Sequence, residues 1–218
     1  MDWLEQNRAY WDERAPLDAV SRFDDVAGFI GGDDTLRGFE LEQVGDVTGR
    51  TLLHLMCHMG LDTLSWARRG ARVTGLDFCR PALGIAADLA AQTGLDEARF
   101  VTADIDHAAE VLRGETFDIV YTGKGAIEWL PDLDRWAGTV AALIAPGGKF
   151  YLAEYNHAGP GEADDTAVRW THPIDGIVNA LVHAGLRIDF LYEHPLTEDR
   201  LRIATIPLMF SLHATKPA

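Results

Sequence analysis

The sequence predicts an α/β fold in a single domain, with a mainly parallel sheet covered by helices on both faces. Hydrophobic runs typical of strands alternate with helical patterns along the chain, which is typical of strand–helix–strand units. The last two strand candidates have no helix between them, so we expect them to form an antiparallel pair. A chain of 218 residues is long enough for one such domain and its core.

Seven segments have the apolar, β-branched and aromatic content of strands. They are TLLHLM from Thr51, ARVTGLD from Ala71, ARFVTA from Ala98, FDIVYT from Phe117, GKFYLAEY from Gly148, LRIDFLYEH from Leu186 and IPLMFSLHAT from Ile206. Helices are predicted at LDTLSWARR, RPALGIAADLAAQT, DHAAEVLR, DLDRWAGTVAALI and PIDGIVNALVHA. Prolines near two helix starts and glycines after three helix ends support these bounds; they are Pro81, Pro173, Gly70, Gly94 and Gly185.

A further helix is predicted before the sheet, in MDWLEQNRAYWDERAPL. Apolar and aromatic side chains recur there at helical spacing and give one broad face: Trp3, Leu4, Asn7, Tyr10, Trp11 and Arg14. We expect residues 1–45 to form a helical segment ahead of a core at residues 46–218, and one interpretation is an ordinary helix docked on that core. Gly31 and Gly32 fit either a hinge between the two parts or a turn.

The charge favours a small-molecule partner. With 19 basic and 34 acidic residues the formal net charge is −15, which repels nucleic acid and anionic membranes. No apolar run approaches the roughly 20 residues of a membrane span, and the N-terminus lacks a signal-peptide pattern. We therefore expect a cytoplasmic protein. Cys57 and Cys79 are too few for a disulfide framework and should be reduced.

The topology of such a sheet predicts where a ligand binds, because ligands lie across the carboxyl ends of the first strands. The loop from Met56 to Gly60, Asp77 and Asp104 all follow strand candidates. Asp77 comes about 20 residues after the loop, the spacing at which a carboxylate accepts from ribose hydroxyls; the alternative is a solvated strand end. Asp104 is predicted to accept from an adenine amino group, or else to cap the next helix.

The loop itself indicates the kind of nucleotide. Dinucleotide loops need glycines so that the backbone can approach a pyrophosphate, and only Gly60 remains of that set here. A ligand that joins adenosine to an amino acid, with no phosphates, does not impose this demand. S-adenosylmethionine is such a ligand, and its cationic sulfonium is compatible with acidic surroundings.

Several segments together resemble the class I S-adenosylmethionine-dependent methyltransferases over nearly the whole chain. They are LLHLMCHMGLDTLSWARRGARVTGLDF, NRAYWDERA, FDIVYTGKGAIEWLPDLDRW, LIAPGGKFYLAEYNH and PLMFSLHATK, and the first is similar to a bacterial branch with histidine and cysteine in the first motif. The resemblance implies a Rossmann-like sheet of order 3-2-1-4-5-7-6 with strand seven antiparallel. Two departures stand out: His54 stands where most class I enzymes carry an acid, and Met56 and His58 stand at glycine positions.

The resemblance also implies the binding residues for S-adenosylmethionine and its product S-adenosylhomocysteine. Backbone of the first-motif loop holds the methionine arm, Asp77 the ribose, and Asp104 with Ile105 the adenine. The resemblance further implies that the helical segment at residues 1–45 is a cap on the cofactor pocket. The full predicted cofactor set is Tyr10, Trp11, Leu55, Met56, Cys57, His58, Gly60, Asp77, Phe78, Asp104, Ile105, Thr122 and Gly123.

The first motif also raises the possibility of zinc, because imidazole and thiolate are zinc ligands. Convergence of His54, Cys57 and His58 on one ion would distort the backbone, so no metal is predicted. In the simpler interpretation His54 bonds within the loop and Cys57 packs as a small residue. His58 borders the methionine arm or does not, with equal support.

The acceptor side is predicted beyond the fourth and fifth strands. Glu128, Trp129 and His172 are candidate substrate-binding residues, and Glu154 and His157 are candidate catalytic bases. The alternatives are core packing for Trp129, structural hydrogen bonding for the two bases, and a helix cap for His172. Short segments at 157–170 and 196–205 predict an open acceptor pocket bordered by Trp129, Glu154, His157 and His172.

The sequence therefore predicts an enzyme that moves a methyl group to an oxygen, nitrogen or carbon atom of a small molecule, as a monomer or homodimer. In-line displacement needs chiefly that the two reactants be held together, and a base only if the acceptor is protonated. The alternatives are a cofactor-binding module without catalysis and, with less support, a nicotinamide-dependent oxidoreductase.

Overall fold

The predicted sheet is confirmed. The computed structural model describes residues 2–21, 24–156, 166–194 and 209–218. Its sheet has seven strands in the order β3-β2-β1-β4-β5-β7-β6. The first five are parallel to one another, and β7 runs antiparallel to both β5 and β6. The strands are β1 Thr51–Leu55, β2 Arg72–Asp77, β3 Arg99–Thr102, β4 Phe117–Thr122, β5 Ile144–Tyr155, β6 Arg187–His194 and β7 Met209–Thr215.

Each helix predicted from the sequence is present, with ends within a few residues of those expected. The helices are α1 Trp3–Asp18, α2 Val26–Gly31, α3 Gly38–Val44, α4 Leu61–Arg68, α5 Arg80–Gln92, α6 Ala108–Val111, α7 Leu133–Leu143 and α8 Ile174–His183. Short 3-10 turns occupy Ile105–His107 and Ile127–Trp129. In the described residues, no helix combines the length and apolar character needed to cross a bilayer.

Two apolar layers hold the helices on the sheet. On one face, side chains of β1, β4 and β5 pack with α7 and α8 around Trp136 and Phe150. On the other face, Trp66 of α4 and Val44 of α3 pack against Tyr121 and Tyr151. Both faces of the central strands are therefore covered by packed side chains, as expected for a parallel sheet between helix layers.

The segment between α1 and the sheet contains two short helices that the sequence analysis did not identify, α2 and α3. Phe29 of α2 and Val44 of α3 are buried against the core. Gly31 and Gly32 form the end of α2, where Gly32 has φ +112°, so this pair lies in a helix-ending turn. The carboxyl ends of β1 to β4 lie side by side, so the residues that follow these strands meet at one edge of the sheet.

Candidate functional site

The loop after β1 keeps a glycine-like backbone although two of its glycine positions are occupied by larger residues. Met56 has φ +58°, His58 has φ +49° and Gly60 has φ +71°. For residues with a Cβ this left-handed region costs on the order of 1 kcal/mol each. The loop therefore keeps left-handed backbone at positions 56 and 58 without glycine, a feature that the sequence did not predict.

Gly60 differs from these two positions because its surroundings leave no room for a side chain. A Cβ there would lie 2.9 Å from Cε1 of Phe100 and 3.0 Å from Cβ of Ala86. Gly60 also caps the start of α4. The one glycine retained by the loop is thus the one that packing requires.

Asp77, at the end of β2, ties the loop to the neighbouring strand. Its Oδ2 accepts from the backbone N–H of His58 at 2.8 Å, and its Oδ1 accepts from that of Cys79 at 2.9 Å. Burial raises the pKa of this carboxyl, while the N–H groups of Cys79 and His58 oppose the rise. A solvated strand end, the alternative to ribose binding, does not describe this buried residue. The ribose contact itself stays a prediction.

Predicted cofactor residues from three strand ends line one cavity. It lies below α1 and has a volume of about 20 Å³. Its wall includes Met56, Asp77, Phe78, Asp104 and Ile105. Asp104 also caps the following turn, because its Oδ1 accepts from the N–H of Asp106 at 2.9 Å. The helix-cap alternative is thus present in the structure, and the adenine contact stays a prediction.

Helix α1 closes this cavity with residues other than the two predicted. Trp3, Leu4 and Asn7 line it, together with Trp129 and Leu130. Ligand pockets usually measure several hundred Å³. A nucleoside ligand therefore needs displacement of α1 or of the side chains beneath it.

Tyr10 and Trp11 lie behind the cavity wall, in an aromatic cluster around Trp129. Tyr10 stacks on Trp129 at 5.8 Å between ring centroids, and Trp11 meets its edge at 5.0 Å. Trp11 also contacts the His58 ring at 5.0 Å. Trp129 is thus packed on one side and lines the cavity on the other, so the packing interpretation is present and contact with an acceptor stays a prediction.

A clasp joins α1 to the segment 166–172, and the sequence analysis did not identify it. Asn7, almost fully buried, donates from Nδ2 to the carbonyl of Val168 at 2.8 Å and accepts from its N–H at 2.7 Å. Trp3 packs edge-on against Trp170 at 5.1 Å. The N–H of Trp170 in turn donates to the carbonyl of Glu128 at 2.7 Å. Helix α1, this segment and the turn at 127–129 are thereby connected.

Glu154 is buried at β5 and serves as an anchor for the loop after β4. Its carboxylate accepts from the backbone N–H groups of Gly125, Ala126, Ile127 and Tyr155 at 2.7–2.9 Å. Burial raises the pKa of Glu154 to about 7, and these N–H groups oppose the rise. With both oxygens engaged, the geometry fits the structural alternative weighed for this residue better than the role of catalytic base.

The remaining predicted site residues differ in burial and in hydrogen bonding. Thr122 is fully buried, and its Oγ1 has no hydrogen-bond partner among the described residues. Leu55 and Cys57 are buried as well, and burial raises the pKa of the Cys57 thiol. Glu128 forms an ion pair with Arg169, with 3.7 Å between Oε2 and Nη1. Burial raises the pKa of Glu128.

Two described members of the predicted acceptor pocket, Trp129 and His172, line different cavities. Trp129 faces the cavity, whereas His172 donates from Nε2 to the carbonyl of Leu130 at 2.6 Å. His172 lines a separate open groove of about 380 Å³ beside the starts of α7 and α8. The predicted border of Trp129, Glu154, His157 and His172 stays a prediction. His157, with most of the segment 157–170 and all of 196–205, lies outside the described residues.

A buried polar cluster lies on the other side of β1 and β4. Lys124 contacts Glu40 of α3 and Asp62 of α4, while His54 hydrogen-bonds to Thr63 of α4 through Nδ1 at 2.8 Å. Glu40, Asp62 and Lys124 were not predicted from the sequence; the available signal was a lysine between glycines directly after a strand. Across the described residues, no group of three His, Cys, Asp or Glu side chains is arranged to hold a metal ion.

Comparison with known proteins agrees with the fold and with the position of the loop. A family described as a methyltransferase domain matches residues 52–148, from β1 to the start of β5. A ubiquinone biosynthesis O-methyltransferase of Methylobacterium sp. (strain 4-46) is 31% identical over 154 residues, which cover 67% of this chain. The chain spans 58% of that relative's length.

Solved structures extend the likeness to most of the chain. An S-adenosylmethionine-dependent methyltransferase from Mesorhizobium loti has a TM-score of 0.66 at 21% identity, covering 86% of this chain and all of that one. The [4+2]-cyclase SpnF has a TM-score of 0.69 at 19% identity, covering 96% of this chain and 94% of its own. At these identities the likeness concerns the fold alone. Residues 52–148 thus match a methyltransferase domain, and most of the chain has the fold of S-adenosylmethionine-dependent methyltransferases of known structure.

Proposed function

We propose that this protein binds S-adenosylmethionine and transfers its methyl group to a small-molecule acceptor. The observation that carries the proposal is the cavity at the carboxyl ends of β1, β2 and β3, where Met56, Asp77 and Asp104 meet. Two carboxylates beside apolar walls suit an adenosine with free hydroxyl and amino groups. In the loop after β1, Met56 and His58 stand at positions where a pyrophosphate site needs glycine, so that the backbone can approach the phosphates.

The residues present fit this ligand. The Thr122 hydroxyl is buried without a partner among the described residues, and such a group normally has one. Asp77 already accepts from two backbone N–H groups and keeps further acceptor capacity, because a carboxylate has about four lone-pair sites. Bound S-adenosylmethionine supplies an electrophilic methyl group on a cationic sulfur.

The protein's own contribution is chiefly to position the reactants and exclude water. Holding them in near-attack geometry supplies roughly 7–11 kcal/mol of the barrier without a catalytic side chain. Helix α1 and Trp129 cover the cavity and keep water out. Glu154 fixes the loop that carries Ile127 and Trp129, so we assign it a positioning role, and His157 remains the proposed base.

The class of acceptor rests on charge and on relatives. A net charge of −15 disfavours nucleic acid and favours a neutral or cationic small molecule. The printed name of the Methylobacterium relative specifies an O-methyltransferase. We therefore propose a hydroxyl oxygen as the first acceptor atom to test, with nitrogen and carbon as alternatives.

A methyl-transfer screen tests the proposal. The protein is incubated with S-adenosylmethionine labelled in the methyl group and with fractions of small-molecule extract, and labelled products are identified. We expect label in a small molecule and accumulation of S-adenosylhomocysteine. Binding without transfer to any fraction would favour a cofactor-binding module, a real alternative because a [4+2]-cyclase has a similar fold.

A further inference from the structure

His58 lies between the loop after β1 and helix α1. Its backbone N–H donates to Oδ2 of Asp77 at 2.8 Å, and its ring contacts that of Trp11 at 5.0 Å between centroids. The Nε2 atom of His58 lies 3.9 Å from Oδ2 of Asp18, the last residue of α1. The loop is thus tied to β2 through the backbone of His58, while the imidazole contacts α1.

The backbone of His58 is unfavourable for a residue with a side chain. Its φ of +49° lies in the left-handed region, which costs a residue with a Cβ on the order of 1 kcal/mol. A glycine would hold the same conformation without that cost. Strained residues occur most often in ligand clamps and switches, where the side chain has a use. A role for the imidazole at this position would offset its strain.

The contact between His58 and Asp18 is incomplete. The Nε2 atom of His58 is buried, and it has no hydrogen-bond partner among the described residues. Its separation of 3.9 Å from the Asp18 carboxylate is about 1 Å longer than a hydrogen bond. Buried polar atoms normally have a partner. A small movement of α1 toward the loop would complete the bond.

The described charged groups next to the imidazole are mostly acidic. Asp18 and Arg14 belong to α1 and are paired with each other at 2.7 Å. Asp24 follows α1, and Asp77 ends β2. Burial raises the pKa of Asp24 and that of Asp77, and the charge of His58 is among the influences that oppose each rise. Three carboxylates and one guanidinium leave an excess of negative charge that attracts a protonated ring.

We propose that His58 is a pH-dependent latch that draws helix α1 onto the loop after β1 when the imidazole is protonated. Histidine ordinarily gains its proton in roughly the range from pH 8 to pH 5. The protonated ring carries a hydrogen on Nε2 and a positive charge, so it donates to the Asp18 carboxylate in a charge-assisted bond. The neutral ring lacks that charge, and the contact is weaker. Lower pH therefore favours closure.

The latch goes beyond the proposed function, because it is a property of the chain without ligand. Its effect on ligand exchange does rest on that function. Trp3, Leu4 and Asn7 of α1 line the cavity, so α1 closes the route to it. A closed latch should therefore slow the release of a bound nucleoside.

Hydrogen exchange in the ligand-free protein at pH 6 and pH 8 tests the latch. Mass spectrometry measures the protection of α1 peptides, corrected for the intrinsic pH dependence of exchange, with α7 peptides as the internal reference. We choose pH 6 as the lower value because burial raises the pKa of Asp24 and of Asp77, and the latch needs their charge.

Four variants accompany the wild type. His58→Asn removes the titrating ring while keeping a residue that tolerates the left-handed backbone, and Asp18→Asn removes the charge of its partner. The matched controls are His183→Asn and Asp175→Asn, which make the same changes at exposed positions of α8. Melting curves establish that each variant is folded.

We expect α1 to be about fivefold better protected at pH 6 than at pH 8 in wild type and in both controls. In His58→Asn and Asp18→Asn this ratio should fall toward one. Burial lowers the pKa of His54 to about 4, so the stability of the whole domain falls toward pH 6. A gain confined to α1 therefore has a local origin.

Two results would overturn the latch. One is a wild-type ratio near one, which decides the matter even if neither latch variant folds. The other is an unchanged ratio in folded His58→Asn.

Release of S-adenosylhomocysteine, followed by stopped-flow tryptophan fluorescence, tests the consequence for ligand exchange. Release from wild type should be about fivefold slower at pH 6 than at pH 8, and release from His58→Asn should be equally fast at both. Equal rates in wild type would overturn the role of the latch in ligand exchange. Failure of S-adenosylhomocysteine to bind at either pH would contradict the proposed function, while hydrogen exchange would still decide the latch.

Discussion

At the scale of single residues, Glu154 illustrates how a buried carboxylate can organise a site. Four backbone N–H groups converge on it, three of them from the loop after β4. That loop carries Trp129, whose ring lines the cavity. Glu154 therefore fixes the position of the Trp129 ring in the cavity wall.

Replacing this carboxylate by an amide should loosen the loop. In Glu154→Gln, the side-chain NH2 can no longer accept from the facing N–H groups, so we expect a loss of about 1–3 kcal/mol in the free energy of unfolding. Urea denaturation measures it, with the exposed Glu193→Gln as the control. Unchanged stability would contradict the anchoring role.

Asp77 has a comparable double role, since it ties His58 to β2 and faces the cavity. We expect Asp77→Ala to weaken S-adenosylhomocysteine binding by about 1–3 kcal/mol, because the ribose hydroxyls and the loop N–H group both lose their acceptor. Calorimetry on the folded variant measures the change. An unaltered dissociation constant would assign Asp77 a structural role only.

His54 makes stability depend on pH in a defined direction. Its folded-state pKa of about 4 lies below the unfolded value near 6.5. The unfolded chain therefore binds a proton first, and the contribution of neutral His54 is full above pH 6.5 and lost as pH falls toward 4. Between pH 7 and pH 5 the loss should be about 2 kcal/mol.

The variant His54→Gln isolates this effect. Its free energy of unfolding should fall less between pH 7 and pH 5 than that of wild type, by about those 2 kcal/mol. The exposed His183→Gln should keep the wild-type dependence. Equal pH dependence in His54→Gln and wild type would show that folding does not shift the pKa of His54.

At the scale of elements, the clasp between α1 and segment 166–172 connects two stretches that are 161 residues apart in sequence. Both bonds use one buried amide side chain, Asn7. The cavity cannot admit a nucleoside at its present volume, so α1 or the side chains beneath it must move during binding. If α1 moves, we expect the clasp to open or to move with it.

We expect Asn7→Ala to cost about 1–3 kcal/mol of stability by leaving the Val168 backbone unsatisfied, and to speed ligand dissociation by weakening the closed cap. Gln6→Ala is the matched control. Gln6 precedes Asn7 on α1 and makes one exposed hydrogen bond, to the carbonyl of Thr166. Stopped-flow tryptophan fluorescence measures dissociation. Identical rates in the two variants would argue against a clasp.

The strands could be predicted because each is an apolar run bounded by polar or glycine residues. The short helices α2 and α3 could not, since helices of six and seven residues form only through packing. Phe29 and Val44 supply that packing, and their burial is not visible in local sequence. Local patterns therefore determined the sheet, and tertiary contacts determined the N-terminal segment.

The site was predictable to a similar degree. Asp77 and Asp104 follow from strand ends, because parallel strands bring those ends together. Asn7 with Val168, and Glu40 with Lys124, involve partners far apart in sequence that no spacing rule relates. The left-handed backbone at Met56 and His58 was not predicted, because residues other than glycine seldom adopt positive φ angles.

At the scale of the whole molecule, the fold brings a small cavity, an aromatic cap and a buried charged cluster to one edge of the sheet. The cap closes the cavity to about 20 Å³, so ligand binding and cap movement should be coupled. The central claim is that this edge binds S-adenosylmethionine rather than a dinucleotide.

Titration calorimetry with S-adenosylmethionine, S-adenosylhomocysteine and NAD tests that claim most directly. We expect the first two to bind at one site per chain, each about 100-fold more tightly than NAD, because Met56 and His58 occupy the approach that a pyrophosphate needs. Tighter binding of NAD than of either sulfur ligand would contradict the account.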